Sequence, residues 1–456
     1  MRLHLVAPFR TQFQIDTEFC LSDWDRTSGL IEAALATART ANGFTLSGPA
    51  RRGRNGFQKY VTLATDHLSP FSTPLLTFEA PPAIREAFAG RYFDAFAGAL
   101  GVDTPVLETL RILVYDNTVA MLAVTLALPA EGIDADAFVE AGDEFLVKAC
   151  GALVSEVAAK EVETVVRMLV SELEMPARRK LGRHVVRHPR DFLAFDDVAF
   201  GGAYGWPADV EPVLWVNRTL ELTQAEAGFL PVAGRWARLN GETEAILAQP
   251  TIELTQVGNS LFFNSDDVAD YLSALCIIQY FYIIFDTFSD RLKRFYVEIA
   301  PWRDARSVSR IQRRASRISS FFGFAESEFA DLMIGLQSER KIFARRIAQA
   351  YDLEVIIDNV REKNRAVDAK LHALIEVRGQ ARQKVLQFGI VLIGALQIFD
   401  LLLNVSWFAR SEPHIVDDGV PGLFSLGLAV SPNLLQTLAF LVVLAVAFLI
   451  VARRRI

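Results

Sequence analysis

The chain has 456 residues, enough for two or three domains, and its 51% apolar and 22% charged residues exclude a disordered chain. A net charge of −7 excludes nucleic acid as the main partner, because phosphate binding needs a basic footprint. The three cysteines, Cys20, Cys150 and Cys276, are far apart, which fits a reducing compartment and excludes a cysteine zinc site or a disulfide framework.

The opening MRLHLVAPFRTQFQIDTEF lacks an apolar core of signal-peptide length, so the chain is expected to start in the cytoplasm. Residues 1–265 mix strand and helix signals. Strand-like runs are Arg2–Ala7, Phe57–Thr65, Arg111–Leu128, Asp191–Val198, Val213–Leu222 and Thr251–Asn264. Two of them read as hairpins, turning at Asp116-Asn117 and at Gly258-Asn259. Helical patterns cover Gly29–Ala41, Ala83–Leu100 and Asp134 to about Glu174; in the last, Phe138, Phe145, Leu146, Ala149, Leu153, Val157 and Val165 recur near helical spacing. The expected fold is a cytoplasmic α/β or α+β domain, a sheet covered by helices.

No P-loop, nucleophile elbow, zinc-protease motif or dinucleotide glycine fingerprint occurs, so the chain is not expected to be an enzyme. The glycine-rich stretch Gly201 to Pro207 lacks the phosphate-loop Lys and reads as a loop. Arg178, Arg179, Lys180, Arg183, Arg187 and Arg190 cluster with His184 and His188. The two histidines have the i, i+4 spacing of metal ligands but no third ligand beside them, so no metal site is assigned.

From Asp266 to Lys384 the pattern is helical. One helix should run to about Ala300, before Pro301, and a second from Trp302 to about Phe322, ending near Gly323. Within the first, Tyr271–Phe285 (YLSALCIIQYFYIIF) is fenced by Asp270 and Asp286; it reads as buried in the soluble domain or at a subunit contact, a re-entrant segment being the alternative. Arg303, Arg306, Arg310, Arg313, Arg314 and Arg317 lie on the second helix. Each basic cluster could hold an anionic ligand such as a nucleotide, or pair with acidic helices and solvent. A third helix, from Ala325 to the membrane, has breaks open at Gly335 or Tyr351. Its residues Leu353, Ile357, Val360, Asn364, Val367, Leu371, Leu374, Arg378, Ala381, Val385 and Phe388 follow coiled-coil steps, so it packs on other helices, on copies of itself, or on its own domain.

Two segments in 385–456 are long and apolar enough to span a bilayer. Val385–Phe408 carries one formal charge, Asp400, and Leu434–Ala452 carries none. Arg378, Arg382 and Lys384 precede the first, and Arg453, Arg454 and Arg455 follow the second. Positive-inside bias predicts a hairpin in the cell (inner) membrane with both termini cytoplasmic.

A cytoplasmic α/β domain, antiparallel helices, a long stalk entering the membrane and a two-span hairpin with a basic tail: this layout resembles the CorA family of divalent-cation channels. The likeness covers roughly Asn264 to Ile456. The resemblance implies a homo-oligomer, a pentamer, with stalks and first spans around a pore that passes divalent cations, and no resident cofactor beyond a transported or regulatory cation. The family's Gly-Met-Asn signature is absent; LLLNVSWFARSEP stands there, with Asn404 but no preceding Gly-Met. In the first span Gln383, Gln387, Gly394, Gln397 and Asn404 fall at steps of 4, 7, 3 and 7, with Asp400 on the same side. Such a face points either at a pore or at other helices. Glu412, Asp417 and Asp418 in the external loop would form an acidic mouth that concentrates cations, or a solvated loop. The rival to a channel is a membrane-anchored sensor whose soluble domain binds an anionic signal.

Overall fold

The computed structural model describes, with short gaps, residues 1–15, 32–48, 74–165, 193–195, 213–237, 252–299 and 308–411, and single positions between 431 and 441. The expected strand at Phe57–Thr65, the cluster from Arg178 to Arg190, the loop 201–207, Arg303 and Arg306, the acids Glu412, Asp417 and Asp418, and most of the second span lie outside the described residues.

The chain divides into two compact units, Met1–Ala300 with Arg313–Val367, and Pro301–Gln312 with Asp368–Ile456. The first is built on strands β1 (Arg2–Arg10), β2 (Phe13–Ile15), β3 (Thr45–Ser47), β4 (Leu76–Glu79), β5 (Val106–Val114), β6 (Val119–Ala127), β7 (Leu193–Phe195), β8 (Asn217–Leu222), β9 (Ile252–Leu254) and β10 (Asn259–Phe263). Eight of them form one sheet in the order β3-β4-β5-β6-β1-β8-β10-β9, and β2 pairs with β7 separately. Every neighbouring pair in the large sheet is antiparallel except β8 and β10, which run parallel. The sheet is therefore mixed but nearly all antiparallel, within the expected α/β or α+β class.

Alternation along the strands sorts side chains to two faces. On the first face Leu3, Leu5, Ala7 and Phe9 of β1 join Leu110, Ile112, Leu122, Val124, Leu220 and Leu222 in one apolar core. Helices α1 (Pro82–Tyr92), α2 (Asp94–Leu100), α3 (Ala135–Glu140), α4 (Gly142–Leu153) and α5 (Leu230–Trp236) contribute Phe96, Phe138, Leu146, Ala149, Leu153 and Trp236 to that core. The pattern read over Ala83–Leu100 is thus two helices meeting at Phe93. That over Asp134–Glu174 starts as two, with a π-helical turn at Val154–Ala158. Beyond the turn, Glu161 is fully buried and accepts the backbone N–H groups of Ala41 (2.9 Å) and Asn42 (2.5 Å), holding that loop down.

A closed polar ring sits within this layer. Arg218 of β8 pairs with Asp143 of α4 at 3.2 Å and donates Nε to Asn259 Oδ1 at 2.6 Å. Asn259 Nδ2 donates to the Trp236 carbonyl at 3.1 Å, and Trp236 Nε1 returns to Asp143 Oδ1 at 3.1 Å. The ring corrects the second hairpin turn. Asn259 is the first residue of β10, in register with Arg218 of β8, and the pairing with β9 begins one residue later at Ser260 and Leu254.

The second face carries Val6, Val119, Met121 and Phe262 and is covered by α6 (Val268–Ile299). Tyr115 at the end of β5 stacks on Tyr280 of α6 with ring centroids 4.8 Å apart, and Phe262 meets Tyr271 at the same distance. Three helices follow: α7 (Val308–Gly335), α8 (Ser338–Ala350) and α9 (Leu353–Ser411). Helix α7 runs on through Gly323 to Gly335; a glycine inside a helix weakens it by roughly 1 kcal/mol, and buried Phe322 and Ala325 on either side anchor the turn. Both open breaks, at Gly335 and at Tyr351, are real helix ends.

Helix α9 has 59 residues, about 88 Å at 1.5 Å per residue. Leu353, Ile357, Val360, Val367, Leu371 and Leu374 of the expected seam are all buried in the single chain. Around the first of these, Asn364 accepts from Ser319 of α7 (2.7 Å), Arg361 Nε donates to Glu326 of α7 (2.7 Å), and Lys363 meets Ser289 of α6. Through Val367 the seam packs on helices of its own domain.

Candidate functional site

Two helices are long and apolar enough to cross a membrane, and burial separates them. Val268–Val297 in α6 has a mean hydropathy of 1.7, and 67% of its apolar window is buried in the structure. Leu386–Val405 in α9 reaches 2.1 with 0% buried. The first is short of solvent because α8, aromatic side chains of α7 and the sheet cover it. The second presents Leu386, Ile390, Val391, Ile393, Ile398 and Leu401 uncovered, along with Trp407 and Phe408 at its end.

The polar positions of α9 follow from helical geometry. Residues seven apart on a helix point nearly the same way, and Gln387, Gly394, Gln397 and Asn404 are linked by steps of seven and three. Gln397, Asp400 and Asn404 line one recess of about 600 Å³ with Leu401, Val405 and Phe408. Asn404 Nδ2 donates to Asp400 Oδ2 at 3.4 Å, a long i, i+4 bond that leaves the remaining amide and carboxylate oxygens open. Gln383 and Gln387 are exposed on the same helix, about four and three turns before Gln397, and do not line the recess. Gly394 is half-buried. Asp400 is the single formal charge in this apolar stretch; a carboxylate held at the centre of a bilayer costs roughly 2.5–3.5 kcal/mol on insertion scales, so its place calls for a polar neighbour.

Of the basic residues, Arg310, Arg313, Arg314 and Arg317 lie on α7. Among the described residues no group of three or more His, Cys, Asp or Glu side chains could hold a metal ion. Two thiols are sealed in the first unit: burial pushes Cys150 and Cys276 each up to about 12, which keeps them protonated and unreactive.

A second polar cluster was not anticipated. It joins Asn217 and Thr219 of β8, Gln279 of α6 and Tyr351 at the end of α8. Tyr351 donates its hydroxyl to Asn217 Oδ1 at 2.5 Å, and its ring meets Tyr282 at 5.9 Å. Burial first, then Tyr282, pushes the Tyr351 phenol up to about 12 against the opposing pull of Gln279 and Asn217. Gly258 passes beside the cluster with φ +82, and a Cβ there would stand 3.1 Å from Asn217 Oδ1; the close approach and the left-handed backbone both require glycine. One sequence signal was available: Gln279 is the lone amide in YLSALCIIQYFYIIF.

No protein-family model, curated protein or solved structure matches the chain.

Proposed function

We propose that the chain is an oligomeric membrane channel or transporter for cations, divalent ones by its CorA-like layout, regulated by its N-terminal α/β domain. The observation that carries the reading is the contrast between the two apolar helices. A helix as apolar as Leu386–Val405 with none of its window covered would expose a large hydrophobic surface to water, and a bilayer removes that cost. On this view the second apolar segment, Leu434–Ala452, completes a hairpin, and the arginines flanking the pair favour both termini on the cytoplasmic side by positive-inside bias. In this reading several copies turn Gln397, Asp400 and Asn404 toward a common axis. Amide oxygens suit a hydrated ion such as Mg²⁺, which sheds water reluctantly, and a ring of Asp400 carboxylates attracts cations over anions.

A membrane-anchored sensor is the rival, and one observation favours it: the seam of α9 through Val367 is used within the chain, leaving less of it to bind copies. Flux separates the two. Purified protein in liposomes is expected to pass cations; Asp400→Asn lowers cation-over-anion preference, and Asn404→Leu reduces conduction by about tenfold, the effect of roughly 1.4 kcal/mol on a barrier. Unchanged flux and selectivity in both variants, with assembly intact, would leave the anchor standing.

A further inference from the structure

The elbow between α8 and α9 has no linker. Tyr351 N–H donates to Ile347 O and Asp352 N–H to Gln349 O, closing α8, while the Asp352 carbonyl accepts from Ile356 N–H and opens α9. Asp352 takes a left-handed conformation, φ +49, which an Asp adopts more readily than a branched residue. Beneath this elbow, Asn217 Nδ2, Thr219 Oγ1 and both amide atoms of Gln279 are buried with no partner at full hydrogen-bond geometry among the described residues, Gln279 and Thr219 reaching only the edge of the Tyr351 and Tyr271 hydroxyls. The three residues are 3%, 0% and 1% exposed. Their neighbour Tyr271 bonds Ser260 through its hydroxyl at 2.6 Å and offers Thr219 only a weaker contact.

Four orphaned polar atoms in one place are far more than chance leaves in a native interior, where about 90% or more of such groups are satisfied. Left dry, each would lower the folding constant about fivefold or more. The set is neutral and mixed: two amide N–H₂ donors, one amide oxygen acceptor, and a hydroxyl able to do either. A cation would leave the donors unanswered and an anion would leave the acceptor so. Water answers both.

We propose that internal water binds between Asn217, Thr219 and Gln279, and that together with the Tyr351 hydroxyl it forms a latch holding the α8–α9 elbow on the sheet. Elsewhere the second face is sealed by ring-on-ring packing such as Tyr115 on Tyr280. Here the contact is polar and water-bridged, so its bonds exchange at little cost and the elbow is the weaker attachment of the start of α9, whose buried Leu353 and Val360 supply the apolar one.

Hydrogen exchange on the full chain in detergent micelles tests both parts. Tyr351→Phe keeps the ring and removes the bond; amides from Ile357 to Asn364 should exchange about fivefold faster while those of β1, β5 and β6 keep their rates. Unchanged rates in α9, or equal acceleration in the sheet, would overturn the latch. Gln279→Met keeps the volume and removes the amide, so the water leaves and the same α9 amides should exchange more slowly. Equal or faster exchange in that variant would show that the Gln279 amide is bonded by the protein itself and would overturn the hydrated site.

Discussion

Arg218→Ala is expected to cost the first unit about 3 kcal/mol, the low end for breaking a buried ion pair from one side, because the Asp143 side chain is 32% exposed. Arg218 is 6% exposed, and its guanidinium bonds two elements at once: Asp143 on α4 and Asn259 on β10. Truncation leaves the Asp143 carboxylate with only Trp236 Nε1 from the ring, and removes the Arg218 bond from an Asn259 that is itself 2% exposed. The ring ties β8 to its parallel neighbour β10, the one parallel contact of the large sheet, so that edge should loosen first. Denaturant unfolding followed by circular dichroism gives the number. A loss under about 1 kcal/mol would mean the ring is solvated and contributes little.

The second large effect concerns α9. Val360→Asp buries a carboxylate at a position that is 0% exposed, whereas Val355→Asp, five residues earlier, places one where the side chain is 65% exposed. A buried charge without a partner costs several kcal/mol, or is paid in part by protonation. Val360→Asp should lower the melting temperature by about 6–12 °C, from roughly 3 kcal/mol at about 2–4 °C per kcal/mol. Val355→Asp should change it by less than about 2 °C, since exposed substitutions stay within roughly 0.5 kcal/mol. The seam was expected to bind helices, and it does so in its own domain. A loss of oligomer with no loss of stability in Val360→Asp would return the seam to intersubunit packing.

Long runs made β1, β6 and the second half of β5 from Arg111 legible, while Val106–Leu110 was not read as strand, and the three-residue β9 was legible only through the turn pair beside it. Strands β3 and β4 were not legible: three and four residues cannot display a period against their surroundings. The end of α7 was misplaced because Gly323 was read as a stop, when packing at Phe322 and Ala325 carries the helix past it. At the site, the spacing of Gln397, Asp400 and Asn404 was readable, since one helix fixes their directions. The cluster under the elbow was not, because Asn217, Gln279 and Tyr351 come from three elements far apart in sequence and only the fold brings them together.

The most direct test of the membrane assignment is cysteine accessibility in intact cells, in a chain whose Cys20 is replaced by Ser. Cys150 and Cys276 are buried, so they add no background in the folded protein. Ser411→Cys, at the last residue of α9, should react with an impermeant thiol reagent from outside, and Arg382→Cys, before the apolar stretch, only after the cells are opened. Labelling at 382 from outside would reverse the orientation, and protection of both positions until lysis would contradict the claim that α9 crosses the bilayer.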